Sequence, residues 1–383
     1  MHVSPSFTMS LGEINLRINL SYGGGSYIQD EGGSQEPFLW QFIFWGILLP
    51  LVALSGIVGN ILTMVVLWRR EMQSPTIYYL RALVVSDTGI LLMSVIALTP
   101  FACSNYLESE SLVYYREVIY PPIHTPLNFI MMSLQAVNVW VTVSVSVERY
   151  IAICHPFRAA RICTKKKALV VIIVIVIVSI GYNIPRIFAT HARECSEAEK
   201  SHGKACFYLA DTDLGKTWSY KTVYGYIMFC IIIYVVPLGV LFILNVFIIQ
   251  ELMRMQQRRS GANNQEDNEA NLSLVLVLIV VVFIFCQTPG LLAQFDIFEV
   301  HLFHKWLAVS NFLFVLNSAV NFLIYTAFGR KFRKVLLRIF HKLYKHSRSM
   351  SISRTAVTSN GYELTNVNDL NHEQTTLETY YDK

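Results

Sequence analysis

Seven stretches of this chain are each long and apolar enough to cross a lipid bilayer, and that property limits the fold more than any other. A hydrocarbon core about 30 Å thick is crossed by roughly 20 apolar residues in a helix. The runs cover residues 38–67, 76–102, 121–154, 166–189, 219–254, 269–296 and 304–327. Several exceed the minimum, which predicts tilt or extension beyond the bilayer rather than further spans. Composition agrees: 15% of the residues are charged and 54% hydrophobic, where soluble proteins carry about 25% charge. The expected fold is an all-α integral membrane protein with a seven-helix transmembrane bundle.

Lys and Arg asymmetry between short loops sets the orientation. One side carries Arg69 and Arg70, the run Arg158 to Lys167, the run Arg254 to Arg259, and the run Gly329 to Lys342. The other side is mixed or acidic, as in "NYLESES", "HARECSEAEK" and "DIFEVH". The basic side is therefore assigned to the cytoplasm, with the amino terminus outside and the carboxyl terminus inside. Residues 1–37 form the outer tail, in which no apolar signal-peptide core is visible, so the first helix is expected to serve as its own insertion signal. Residues 38–327 form the bundle. From 328 to 343, Phe328, Phe332, Val335, Leu336, Ile339 and Phe340 recur at helical spacing among Lys and Arg, the pattern of a short amphipathic eighth helix on the inner leaflet, touching membrane lipids. Residues 344–383 are rich in Ser, Thr and Asn and read as a disordered cytoplasmic tail. The sequon at Asn19 lies outside and is open to glycosylation; Asn271-Leu272-Ser273 lies at the inner end of the sixth run and is not.

Charge inside such a bundle is expensive. Arg149 stands at the inner end of the third run with Glu148 beside it and Tyr150 following. An arginine near a helix end also snorkels to headgroups without further purpose. Glu269, however, lies twenty residues before Pro289 in the sixth run, about 30 Å closer to the cytoplasm. It reaches the depth of Arg149, and a pair between them would be a latch between two helices. Nearer the middle are Asn60, Asp87, Asn138, Asn317, Ser318 and Asn321. These either glue helices together through hydrogen bonds or present oxygens to a hard cation. Pro100, Pro185, Pro237 and Pro289 each free backbone carbonyls within the spans. No nucleophile motif, phosphate loop or metal-ligand cluster appears, so no enzymatic activity is expected, and nothing points to nucleic acid.

Taken together, "GN" (Gly59-Asn60), "LVVSD" (Leu83 to Asp87), "ERY" (Glu148 to Tyr150), "HP" (His155-Pro156), "CQTP" (Cys286 to Pro289) and "NFLIY" (Asn321 to Tyr325) resemble a rhodopsin-like G-protein-coupled receptor over about residues 38–343. Three stretches, "VERYIAICHPFRAARICT", "GYNIPRIF" and "CFYLADTDLGKTWSYKTVYGYIMF", are similar to invertebrate FMRFamide-type neuropeptide receptors. The resemblance implies a plasma-membrane receptor for an extracellular neuropeptide that activates heterotrimeric G proteins and recruits receptor kinases and arrestin. It implies a G-protein gate at Glu148, Arg149, Tyr150 and Tyr325. It also implies an allosteric sodium ion at Asp87, with Asn138, Asn317, Ser318 and Asn321 around it; no other metal and no cofactor is implied. Gln287 departs from the family's usual tryptophan, Phe322 from a proline, and His124 from the cysteine that takes the loop disulfide. Cys103 is expected to replace it, paired with Cys206, with Cys195–Cys206 as the alternative.

On the same resemblance, the ligand pocket is expected at His124, Asn128, Met131, Met132 and Gln135, joined by Tyr226, Gln287, Gln294 and Asn311. Asp296 and Glu299 stand at its mouth, with Glu194, Asp211 and Asp213 nearby. No carboxylate occupies the third-run stripe, which disfavours an amine ligand; acids at the mouth suit the guanidinium of an amidated Arg-Phe peptide. Ser351, Ser353, Thr355, Thr358 and Ser359 are candidate phosphorylation sites. A receptor for another ligand, or a seven-helix transporter or scaffold, is the alternative; a retinal Schiff base is excluded because the seventh run has no lysine between Leu307 and Phe328.

Overall fold

A computed structural model describes residues 36–107, 109–195, 205–258, 264–295 and 300–358. Seven of its helices are long and apolar enough to cross a membrane: α1 (Phe38–Leu67), α2 (Pro75–Tyr106), α3 (Glu110–Cys154), α4 (Lys165–Ile187), α5 (Ser219–Met255), α6 (Asn264–Leu292) and α7 (Val300–Phe328). The helix of α3 begins well before the expected position 121. A turn at Glu110–Tyr114 and a π-helical stretch at Tyr115–Ile119 lead into it, although their Tyr, Arg and Glu residues interrupt the apolar run.

Widened π-helical turns recur, and three of the four among the described residues have a proline two residues past their end; Ser219–Met228 does not. Phe42–Leu48 precedes Pro50, Tyr115–Ile119 precedes Pro121, and Cys230–Val235 precedes Pro237. The proline ring clashes with the carbonyl four residues earlier and offers it no N–H. A wider turn moves that carbonyl aside, so the helix continues instead of breaking. Pro100, Pro126, Pro185 and Pro289 sit inside helices that remain α-helical around them.

Packing divides into two apolar clusters. Trp45, Leu49 and Ala53 of α1 meet Leu91 and Leu98 of α2 and Phe303, Leu307 and Val315 of α7. Met132, Val139 and Val143 of α3 meet Phe229, Ile233 and Leu241 of α5 and Val280 and Phe283 of α6. The first cluster depends on close backbone approach. A Cβ on Gly56 would fall 2.6 Å from Cβ of Ala319, and one on Gly59 would fall 2.8 Å from Cβ of Phe322. Small residues at such crossings supply the van der Waals contact that joins helices in lipid, where no hydrophobic drive exists. By contrast, α4 turns Val170, Ile173, Val174, Ile177 and Val178 outward, as a lipid-facing helix does.

Between α4 and α5 the chain forms an antiparallel hairpin of β1 (Thr190–Glu194) and β2 (Phe207–Asp211), in register from Thr190↔Asp211 to Glu194↔Phe207. After α7, a helix α8 (Arg330–Thr358) follows. It runs past the expected boundary at 343; no glycine or proline interrupts the sequence before Gly361. The chain divides into two compact units at Arg333, and Lys334–Thr358 is the described, helical part of the second.

Candidate functional site

The third helix carries three polar levels on one face. His124, Asn128, Met131, Gln135, Asn138, Thr142, Val145 and Arg149 follow one another at intervals of three or four residues, which is the period of a single helical stripe.

At the inner level, Arg149 and Glu148 are both buried. The guanidinium reaches the carboxylate twice, Nη2 to Oε1 at 3.0 Å and Nε to Oε2 at 3.2 Å. Thr76 of α2 completes the group: its hydroxyl accepts from Arg149 Nη2 and donates to Glu148 Oε1 at 3.1 Å. A charge pair taken out of water needs such additional hydrogen bonds to offset its desolvation. In this arrangement the arginine is tied to α2 through Thr76. The side chain of Glu269, expected as a second partner, lies outside the described residues. Thr76 escaped the sequence reading, although it stands eleven residues, about three turns, before Asp87 on the same helix face. Tyr150 packs edge-on against His155, with ring centroids 5.5 Å apart, and lies 6.0 Å from Phe247 of α5. The ring of Tyr325 lies 5.4 Å from that of Phe332. Its hydroxyl is buried and has no hydrogen-bond partner among the described residues.

The middle level joins four helices. Asp87 is fully buried and accepts from two asparagines, Asn138 Nδ2 at 2.7 Å and Asn321 Nδ2 at 2.8 Å. Asn138 also donates to Ser86 Oγ at 3.1 Å. Asn60 donates to the carbonyl of Ser318 at 3.2 Å, and Asn317 is buried beside it. Asn60 Oδ1 is buried without a partner among the described residues, and the Ser318 hydroxyl stands against the Asp87 carboxyl. A carboxylate with an unspent oxygen acceptor and a hydroxyl on neighbouring helices has the chemistry that a hard cation takes, so these residues fit a sodium ion.

The outer level is a cleft whose empty space, open solvent at its mouth included, is about 820 Å³. His124, Asn128, Met131, Met132 and Gln135 of α3, Gln287 and Gln294 of α6 and Asn311 of α7 line it. Tyr226 does not; Tyr234, two turns further along α5, takes that place. It can do so because Gly290 has no side chain: a Cβ there would lie 3.0 Å from the Tyr234 hydroxyl. Among the described residues, no Asp, Glu, Lys or Arg lines the cleft. Gln287 Nε2 is a buried donor without a partner among the described residues, while Gln294 donates to Gly290 O at 3.4 Å. Asp296 and Glu299 lie outside the described residues, as does Asn19. Of the other mouth acids, Asp211 is engaged by Lys221 at 2.9 Å.

The outer loop corrects the expected disulfide. Cys195 is bonded to Cys206 and Cys103 is free. The two bonded cysteines continue the hairpin ladder, with Cys195 N donating to Cys206 O at 2.9 Å, so pairing them costs little chain entropy. Cys103 sits inside the bundle against α1, its sulfur 3.3 Å from where a Cβ of Gly46 would stand. The hairpin is held to α3 by hydroxyls: Thr125 Oγ1 and Thr190 Oγ1 are 2.9 Å apart. Arg186, in the "GYNIPRIF" stretch, is also buried. Its Nε donates to Asn183 Oδ1 at 3.0 Å, and its guanidinium lies 5.4 Å from the ring centroids of Tyr224 and Phe229. Sequence reasoning gave it no role.

Residues 59–325 match the family model described as 7 transmembrane receptor (rhodopsin family). The chain is 31% identical over 302 residues to the FMRFamide receptor of Drosophila melanogaster, an alignment spanning 78% of this chain and 54% of that protein. It is 28% identical to the Probable G-protein coupled receptor frpr-1 of Caenorhabditis elegans, over 76% of this chain and 77% of the relative. Against the Neuromedin-U receptor 2 of Homo sapiens the identity is 26%, over 76% and 70% of the two chains.

Proposed function

Because this chain belongs to the rhodopsin family of seven-transmembrane receptors, we propose that it is a plasma-membrane receptor for an extracellular, amidated, FMRFamide-like neuropeptide that activates heterotrimeric G proteins. The observation that carries the ligand class is that, among the described residues, the outer cleft is lined by amides and apolar side chains and by no Asp, Glu, Lys or Arg. Asn128, Gln135, Gln287, Gln294 and Asn311 each offer an amide donor and an amide acceptor. Such a set matches peptide groups and a terminal carboxamide. A terminal carboxylate brought there would be a buried charge without a counter-ion. The FMRFamide receptor and neuromedin-U receptor names of its relatives support a peptide over an amine.

The mechanism follows the three levels of α3. Peptide seated in the cleft favours an arrangement in which the inner end of α6 moves outward and Arg149 leaves Glu148 and Thr76 to meet the G protein. The G protein binds that arrangement more tightly and so shifts the population toward it. Asp87, with Asn138, Asn321, Ser318 and Asn60 around it, would hold a sodium ion, whose charge would favour the closed arrangement. The amino terminus lies outside and the basic loops face the cytoplasm, where kinases and arrestin act on the Ser- and Thr-rich tail.

The test is nucleotide exchange on purified heterotrimers by the chain in nanodiscs, with matched pairs of Arg-Phe peptides ending in carboxamide or free acid. Stimulation by the amides, with the acids at least about tenfold weaker, is the expected result. Failure of every peptide to stimulate any heterotrimer would overturn the reading.

A further inference from the structure

Between α7 and α8 the helical hydrogen-bond ladder is interrupted, and one side chain from another helix closes the gap. Gly329 N donates to Tyr325 O at 2.9 Å, ending α7, and Arg333 N donates to Gly329 O at 2.9 Å, beginning α8. The turn between them is tight: a Cβ on Gly329 would lie 2.5 Å from the Tyr325 carbonyl. Helix ends leave carbonyls and N–H groups without intrahelical partners. Two of these, Phe328 O and Arg330 N, are both taken by Asn271 of α6. Its Nδ2 donates to Phe328 O at 3.0 Å, and its Oδ1 accepts from Arg330 N at 3.0 Å.

We propose that Asn271 is a positioning residue, a two-ended clamp that holds the inner end of α6 against the α7–α8 junction and keeps the protein in its closed arrangement. The inference rests on the receptor reading for its functional consequence, though not for its geometry. The residue type follows from the task. A terminal end of α7 offers an acceptor and the start of α8 a donor, and a single primary amide answers both at once. Serine cannot span the pair, and aspartate supplies only the acceptor. If α6 moves outward, both bonds break together, and the two backbone groups are left to water. The clamp therefore opposes the same motion that G-protein coupling requires.

The experiment uses the full chain in nanodiscs, with the remaining reactive cysteines replaced and spin labels at Gln73, at the inner end of α2, and Leu274, on α6. Asn271→Ala is expected to enlarge the long-distance population between the labels and to raise basal nucleotide exchange about tenfold, the loss of two ordinary hydrogen bonds. Asn271→Asp, which keeps the acceptor for Arg330 N and loses the donor, is expected to fall between Asn271→Ala and wild type in both readouts. It also reports if the alanine variant fails to fold. Distances and basal exchange that match wild type in a folded variant would overturn the clamp. A shift in distance without exchange on any heterotrimer would support the clamp while counting against the receptor reading.

Discussion

Thr76 changes what the Arg149 group is. A guanidinium and carboxylate adjacent in sequence could satisfy each other anywhere on a helix surface, and such a pair would couple nothing. The threonine hydroxyl accepts from one and donates to the other, so the pair is fastened to α2. Hydrogen bonds to charged groups contribute about 1.5–3 kcal/mol. Thr76→Val, which preserves shape and removes the hydroxyl, is therefore expected to raise basal nucleotide exchange about tenfold at equal surface expression. Thr76→Ser keeps the hydroxyl and is expected to stay near wild type. Basal exchange of Thr76→Val equal to wild type would remove the threonine from the gate. The triplet "ERY" was readable because its members are neighbours in sequence. Thr76 was not, because a hydroxyl on a long apolar helix acquires its meaning only from what faces it.

The hairpin shows the same lesson for an element. It closes on itself through Cys195–Cys206 and is held to α3 by the Thr125 and Thr190 hydroxyls. Three outer cysteines permit three pairings, and spacing alone does not choose among them. The choice was made by strand register, which brings Cys195 and Cys206 opposite one another while Cys103 is packed into the bundle. Cys103→Ser is accordingly expected to leave peptide affinity within about twofold of wild type. Cys206→Ser is expected to loosen the hairpin and to weaken binding by about tenfold, with the bundle still folded. Peptide mapping under non-reducing conditions provides the direct check: a Cys103–Cys206 linked fragment would refute this assignment. The π-helical turns belong to this scale too, since the prolines that follow three of them were visible in the sequence but their accommodation was not.

Across the whole molecule, α3 links three sites: the cleft, the Asp87 group and the arginine, with Asn138 and Arg149 eleven residues or about 16 Å apart. Two sites joined by one rigid element are coupled if each prefers the same arrangement of it, and that coupling is reciprocal. Sodium is therefore expected to weaken agonist binding in the wild type, and agonist to weaken sodium binding by the same factor. Asp87→Asn keeps an oxygen acceptor but removes the charge that attracts the cation, and is expected to abolish the sodium effect. Agonist affinity measured in sodium and in an equal concentration of a bulky organic cation decides this. A sodium effect that persists in Asp87→Asn would place the ion elsewhere.

Seven apolar runs fixed the number of spans and their order, because a hydrocarbon slab imposes one length requirement on every helix and that requirement is local. Their depth within the apolar runs likewise marked Asp87, Asn138 and Arg149 as polar residues of the bundle interior, because uncompensated polar groups are costly in lipid wherever they occur. What decided the partners was tertiary packing: Thr76 for Arg149, Tyr234 rather than Tyr226 in the cleft, Cys195 for Cys206, and Asn271 across the α7–α8 junction. The cysteine pair depends on strand register; the others depend on helix rotation and crossing, set by close contacts such as Gly56 against Ala319 and Gly290 under Tyr234. A pairing between distant segments is a property of three-dimensional proximity, which composition and spacing along one helix do not contain.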